Sequence, residues 1–283
     1  MPLNQPVPSS STSFVTLFDD TYDQPDCRAY YRMLKSLGYS NHAHAVPVFR
    51  GLLEDLVRLR GLSAPQVLDF ASSYGIVSAL VRHEVSAEAF LERYDAPALD
   101  GLTPREMAAR DAAWLASLPQ SHPGAGFTGI DVAGNAVAYG REIGLFESAF
   151  DEDLEQAEPS ARLAARLAEI DLVIECGSVA HLMPAALERL LRATSGKRPW
   201  VVTSPVRGNE RKAAFDLLRD HGYTVETLGL PPFPHRRFDS LSEQARAIDI
   251  ARAAGHETSG FETTGHFFAQ VYVARPPEEA AAA

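Results

Sequence analysis

Apolar residues fall into two regimes along the chain. From about Asp26 to Gly61 they recur every three or four positions. Tyr30, Tyr31, Leu34 and Leu37 mark one helix in CRAYYRMLKSLGY, and Val48, Leu52, Leu56 and Leu59 mark a second in AVPVFRGLLEDLVRLRG, with Gly61 as its stop. Beyond Gly61, short β-type runs alternate with helix-period stretches. QVLDF (66–70), GFTGID (126–131), IDLVIE (170–175), RPWVVTS (198–204), YTVETL (223–228) and HFFAQVYVA (266–274) read as strands. IVSALVRH, NAVAYGREIG, PAALERLLRAT and NERKAAFDLLRDHG read as helices between them. Strand and helix in alternation predict an α/β fold, a mostly parallel sheet with helices on both faces. A short link precedes the last run, which allows it to enter the sheet antiparallel.

One spacing breaks the rhythm. Residues 71–125, about 55 in all, separate the first two strands, where an entire βαβ unit needs only about 30. The segment from about 85 to 119 therefore reads as a helical insertion. Residues 1–13 are rich in Pro and Ser and are expected to be disordered, as is the tail 277–283. Residues 14–62 form an N-terminal helical segment, and 63–276 form the α/β domain.

Composition narrows the function. The chain has 283 residues, 46% hydrophobic and 22% charged, as in ordinary globular proteins. A formal net charge of −11 argues against a nucleic-acid partner. No apolar run approaches a membrane span, and no signal-peptide pattern opens the sequence. Cys27 and Cys176 stand far apart, with no CxxC and no Cys/His ligand spacing. That pattern fits a reducing cytoplasm and supports neither a disulfide framework nor a metal site. With no GxSxG, nucleophilic hydrolase chemistry has little support.

The candidate chemistry begins at VLDFASSYG, residues 67–75. Asp69 lies within the first strand, and Asp131 ends the second, where a carboxylate accepts hydrogen bonds from ribose hydroxyls. Taken singly, each aspartate reads as a strand-end or capping residue. Together they point to an adenosine-bearing cofactor. A phosphate cradle needs several glycines so that N–H groups converge on the anion. The turn Ala71-Ser72-Ser73-Tyr74-Gly75 has one, which disfavours NAD, FAD and ATP.

VLDFASSYG resembles the first motif, VLDxGxGxG, of class I S-adenosylmethionine-dependent methyltransferases. The ordered set SSYGIVSALVRHEV, GIDVAGNAVAYG, EDLE, PS, HRRF and GHFFAQVYVARPP resembles, more narrowly, a bacterial small-molecule subfamily that includes azetidine-2-carboxylate synthase-like proteins. The likeness spans about Tyr22 to Pro276. It implies a Rossmann-like, seven-stranded class I methyltransferase fold, the helical segment 14–62 serving as a lid.

The resemblance also implies roles for individual residues. Asp69, Ala71, Ser72, Ser73, Tyr74 and Gly75 would lie beside the methionine part of S-adenosylmethionine, Gly75 allowing a close approach. Asp131 would hold the ribose, with Val132 beside it, and Asp153 and Leu154 would touch the adenine. Cys176 and the loop through Ser178 to His181 would line the reacting end, where His181 is the candidate base. Asn135, Ser178 and Ser204 are further candidates at that end, and Tyr31, among the N-terminal tyrosines, would screen the sulfonium by cation–π attraction. Arg207 and the basic HRRF loop are candidates for an acidic group of the substrate, and Tyr139 reads as core.

The resulting expectation is methyl transfer to a small molecule by a cytoplasmic enzyme with no nucleic-acid or membrane partner; a homodimer is compatible with it. The alternative is cyclisation of S-adenosylmethionine itself to azetidine-2-carboxylate with release of methylthioadenosine. A third reading, a binding protein that has lost its reaction, is permitted by the altered glycines and opposed by the polar residues retained at the strand ends.

Overall fold

The computed structural model describes residues 21–177, 184–210 and 212–281. Two helices lead, α1 (Arg28–Ser36) and α2 (Asn41–Arg60), followed by β1 (Gln66–Phe70) and α3 (Ile76–Arg82). Then come α4 (Ala87–Glu92), α5 (Pro104–Ser117), β2 (Gly126–Ile130), α6 (Gly134–Glu142), β3 (Ser148–Phe150), α7 (Ala161–Leu167), β4 (Leu172–Glu175) and α8 (Pro184–Ala193). The remainder is β5 (Trp200–Thr203), α9 (Lys212–Asp220), β6 (Thr224–Glu226), β7 (Phe233–Arg237), α10 (Leu241–Ala253), β8 (His266–Ala269), β9 (Tyr272–Arg275) and α11 (Pro277–Ala280).

Seven strands form one sheet in the order β3-β2-β1-β4-β5-β9-β6. All neighbours are parallel except β9, which runs antiparallel to both β5 and β6. This is the Rossmann-like sheet of the class I methyltransferase fold. Strand alternation sorts side chains onto its two faces. Val67, Ile174, Val202 and Val273 join α2, α3, α5 and α6 in one core. Leu68, Val173, Val201 and Ala274 join α7, α8 and α9 in the other. Each fully buried Leu or Phe in these cores contributes about 1.5–3 kcal/mol.

Between α3 and β2, the segment 87–117 carries α4 and α5 with two short 3-10 turns between them. A buried carboxylate fastens it: Asp111 accepts from Tyr94 Oη at 2.9 Å, Tyr139 Oη at 2.7 Å and the Arg93 guanidinium at 2.9 Å, with the Cys27 thiol at 3.7 Å. One side chain thus joins the insertion to α6 and to the entry of α1. Tyr139 is core, as its spacing suggested.

Three expectations are corrected. HFFAQVYVA is two strands, because the chain bends at Gln270, whose amide donates to Pro205 O, and β8 leaves the sheet to pair with β7. The HRRF segment, read as a loop, is β7 itself; a register shift between Pro234 and Arg236 accommodates a proline that has no N–H to donate. Residues 277–280, expected within a disordered tail, form α11, where Glu279 pairs with Arg60 at 2.9 Å and accepts from Trp200 Nε1, and Glu278 pairs with Arg198. Among the described residues no helix is long and apolar enough to cross a membrane.

Candidate functional site

The turn after β1 carries the backbone of the glycine motif without its glycines. Ala71 and Ser73 have φ of 56° and 50°, and Gly75 has 84°. These are the three positions at which VLDxGxGxG places glycine. Each non-glycine residue there costs about 1–2 kcal/mol, so the surroundings must hold the turn. Ser72 N donates to Ile130 O at 3.1 Å, Ser73 N to Asp131 Oδ2 at 2.9 Å, and Gly75 N to Ser72 O at 2.8 Å. Asp69 is tied to the start of α3, its Oδ2 accepting from Ser78 N at 3.1 Å and Ser78 Oγ at 2.7 Å. Burial pushes the Asp69 carboxyl up to about 7. Burial also raises Asp131, despite three donors: Ala133 N to Oδ1 at 2.9 Å, and Ser73 N and Tyr22 Oη to Oδ2.

The expected cofactor residues divide into two groups. Ser72 and Ser73 are buried; among the described residues the Ser72 hydroxyl lacks a hydrogen-bond partner, and that of Ser73 stands against the Tyr22 and Tyr30 hydroxyls. Val132 is 65% exposed, an uncovered apolar surface beside Asp131. These fit an adenosine-type ligand. Gly75 departs from its expected role: a Cβ there would meet Leu145 Cδ1 at 2.9 Å and Phe146 Cζ at 3.0 Å. The close approach that it permits is by the protein's own Phe146. Tyr74 and Tyr31 are core residues; Tyr74 Oη donates to Gln24 O, and Tyr31 Oη donates to Tyr74 O while its ring packs on Phe90 and Tyr94. Leu154 is 3% exposed and packs with Phe150, Leu163 and Leu187, so it offers no adenine face. Asp153 caps its own turn by accepting from Glu155 N at 2.8 Å.

The candidates for chemistry are similarly sorted. Asn135 is a clasp: its backbone N–H donates to Asp23 Oδ1 at 2.7 Å and its side chain to Asp23 O at 2.9 Å, pinning the N-terminal segment to α6. Ser204 and Cys176 meet at the ends of β5 and β4, with Ser204 Oγ 3.5 Å from Cys176 Sγ and 3.3 Å from Asn41 Oδ1. Burial raises the Cys176 thiol, which keeps it protonated and a poor nucleophile. Ser178 and His181 lie outside the described residues.

Two groups of residues meet here: the N-terminal tyrosines Tyr22, Tyr30 and Tyr39, expected with Tyr31 to screen the sulfonium, and, beside His235, the residues Asn41 and His42, which no motif had singled out. Tyr22 reaches Asp131, and Tyr30 packs against Tyr22 and Tyr74 at centroid distances of 5.5 and 5.6 Å. Tyr22 and Tyr30 lie on the Asp131 side of the turn, whereas Tyr31 meets it from the core through Tyr74 O. At the other end, Tyr39, Asn41 and His42 come from the start of α2, and His235 comes from β7. The link between α1 and α2 runs beside β7, with Ser40 N donating to His235 O at 2.7 Å and Arg237 N to Leu37 O at 3.0 Å. Tyr39 Oη and Nε2 of His235 are 2.9 Å apart. HRRF was legible as a motif, but its partner across nearly two hundred residues was not.

The basic candidates are internally paired. Arg207 is buried against Glu262 at 3.2 Å and over the Phe261 ring. Arg236 pairs with Glu243 at 2.8 Å over Phe267, and Arg237 donates to Ser36 O. Glu262 and Glu243 neutralise Arg207 and Arg236, whereas Arg237 meets a backbone carbonyl. Among the described residues, no group of three or more His, Cys, Asp and Glu is arranged to hold a metal.

No protein-family model and no curated protein matches the chain. Solved structures of similar layout include a TehB-like SAM-dependent methyltransferase from Corynebacterium glutamicum (13% identity, 86% of this chain and 93% of that chain, TM-score 0.40). Another is the magnesium protoporphyrin IX methyltransferase from Synechocystis with bound SAM (13%, 83% and 80%, TM-score 0.41). A third is the [4+2]-cyclase SpnF (14%, 81% and 81%, TM-score 0.39). Likenesses of this strength are too weak to transfer a substrate or a residue role.

Proposed function

We propose that the chain binds S-adenosylmethionine and transfers its methyl group to a small molecule. The observation that carries this reading is the left-handed turn Ala71–Gly75, which sets the buried Ser72 hydroxyl, unpartnered among the described residues, and the Ser73 hydroxyl beside the Asp131 carboxylate. Unpaired buried hydroxyls cost about 1–3 kcal/mol each, and the amino and carboxylate groups of a methionine moiety supply matching partners. Asp131 accepts from ribose hydroxyls, and Val132 offers its exposed side chain to the adenine. The rings of Tyr22 and Tyr30 suit a sulfonium. The bound cofactor supplies an electrophilic methyl carbon; the protein contributes alignment and the exclusion of water.

The test is incubation of the full chain with S-adenosylmethionine, alone and with a panel of alcohol, phenol and amine acceptors, followed by mass spectrometry. Saturable binding and acceptor-dependent S-adenosylhomocysteine support methyl transfer. Methylthioadenosine with azetidine-2-carboxylate in the absence of acceptor would replace this reading by cyclisation, and no binding at all would sink both.

A further inference from the structure

We propose that Tyr39 and His235 form a proton-accepting pair at the methyl end of the site, Tyr39 contacting the acceptor and His235 standing behind it. The proposal rests on the methyl-transfer reading above and deepens it.

Placement is the first argument. Gly177 lies two residues past the end of β4, at the carboxyl edge of the sheet, where open α/β folds bind their ligands. A Cβ on Gly177 would lie 3.2 Å from Tyr39 Oη, 3.2 Å from His235 Nε2 and 3.3 Å from Asn41 Nδ2. Three polar atoms from two distant segments therefore converge on one point of the backbone. Cys176 and Ser204 adjoin it, and Asp69 lies on the neighbouring strand, paired with Ile174.

Unmet pairing is the second argument. Asn41, His42 and His235 are almost fully buried, yet Asn41 Nδ2, His42 Nδ1 and His235 Nδ1 have no hydrogen-bond partner among the described residues. Such groups are costly unless a polar ligand engages them. Tyr39 Oη donating to Nε2 leaves a neutral His235 with its proton on Nδ1. The phenolic oxygen then retains lone pairs for a substrate O–H or N–H.

Charge is the third. The titratable groups facing His235 are Tyr39, His42 and Arg236, the last neutralised by Glu243; Tyr30, Cys176 and Glu175 act on Tyr39. Burial holds His235 well below the ordinary histidine range and His42 at about 4. Both rings are thus neutral beside a sulfonium and do not repel it. In the reaction, the acceptor's O–H or N–H bond breaks and its electron pair forms the bond to the methyl carbon, while the carbon–sulfur pair returns to sulfur. The acceptor proton passes to Tyr39 Oη, and the proton of Tyr39 passes to Nε2 of His235. One positive charge moves from sulfonium to imidazolium, and the total charge of the site is unchanged. The acceptor class is a molecule bearing a hydroxyl or N–H nucleophile.

The test is a histidine NMR titration of the full chain, labelled at histidine, with S-adenosylmethionine and then with S-adenosylhomocysteine, which differ in the methyl and its charge. The His235 signal is assigned by its loss in His235→Gln or, should that variant not fold, by its displacement in Tyr39→Phe. We expect His235 to titrate lower by about one pH unit or more in the sulfonium complex. Binding of both ligands with identical His235 titrations overturns the pair and leaves the cofactor reading standing. Absence of binding by both, measured by calorimetry, removes the cofactor reading and the pair with it.

Discussion

The hydroxyl of Tyr22 donates to Oδ2 of Asp131 over 2.8 Å, the same oxygen that receives the Ser73 amide at 2.9 Å. A residue of the N-terminal segment thus holds an acceptor that a ribose would use. A hydrogen bond to a charged group is worth about 1.5–3 kcal/mol. Tyr22→Phe should therefore tighten S-adenosylhomocysteine binding by about tenfold, as read by titration calorimetry. Weaker binding would instead make the Tyr22 hydroxyl part of the bound complex.

The strained turn makes a prediction of opposite sign at neighbouring positions. Ala71→Gly and Ser73→Gly relieve about 1–2 kcal/mol of left-handed strain each, offset by about 0.5–1 kcal/mol of glycine entropy. Both should be neutral or raise Tm by up to about 3 °C. Gly75→Ala adds strain at φ 84° and a clash with Leu145 and Phe146, and should lower Tm. Differential scanning calorimetry on the three variants decides it.

Asp69 should make the fold less stable as pH rises. Its carboxyl is held at about 7 against an ordinary 3.8. The folded state therefore binds the proton more tightly than the unfolded chain. The associated stability is full below 3.8, declines through the interval and is lost above about 7. Asp69→Asn keeps an acceptor for Ser78 and removes this titration. The Tm of the variant relative to the unsubstituted protein should rise between pH 4 and pH 8; a constant difference would refute the shift.

Asp111 is predicted to be a structural anchor. Replacing it by Ala leaves the buried Tyr94 and Tyr139 hydroxyls and Arg93 without their acceptor, at a cost of about 3–5 kcal/mol. The urea midpoint should fall accordingly, with Asp111→Asn falling less. Unchanged midpoints would show that the insertion is held by apolar packing alone.

The layout of strands was legible because period-2 and period-3.6 patterns report burial locally. QVLDF, GFTGID and IDLVIE emerge as the central strands within one or two residues of their expected limits. The split at Gln270 was not legible, because Phe267 to Val273 alternates without interruption and nothing local marks where the chain changes sheets. Asp131 and the 71–75 turn were legible as the ends of two neighbouring strands for the same local reason. Tyr31 and Leu154 were misplaced, since an apolar or aromatic residue near a motif looks the same whether it faces a ligand or the core.

The order of motifs along the chain determined the class of fold and located the β1 turn, since both depend on short-range pattern. Only the tertiary structure decided that Tyr22 meets Asp131, that Phe146 occupies the space left by Gly75, and that Tyr39 meets His235. Those pairings join residues 71 to 196 positions apart. Contacts at such separations are set by how helices and strands pack against a common core, and no local period in the chain encodes them.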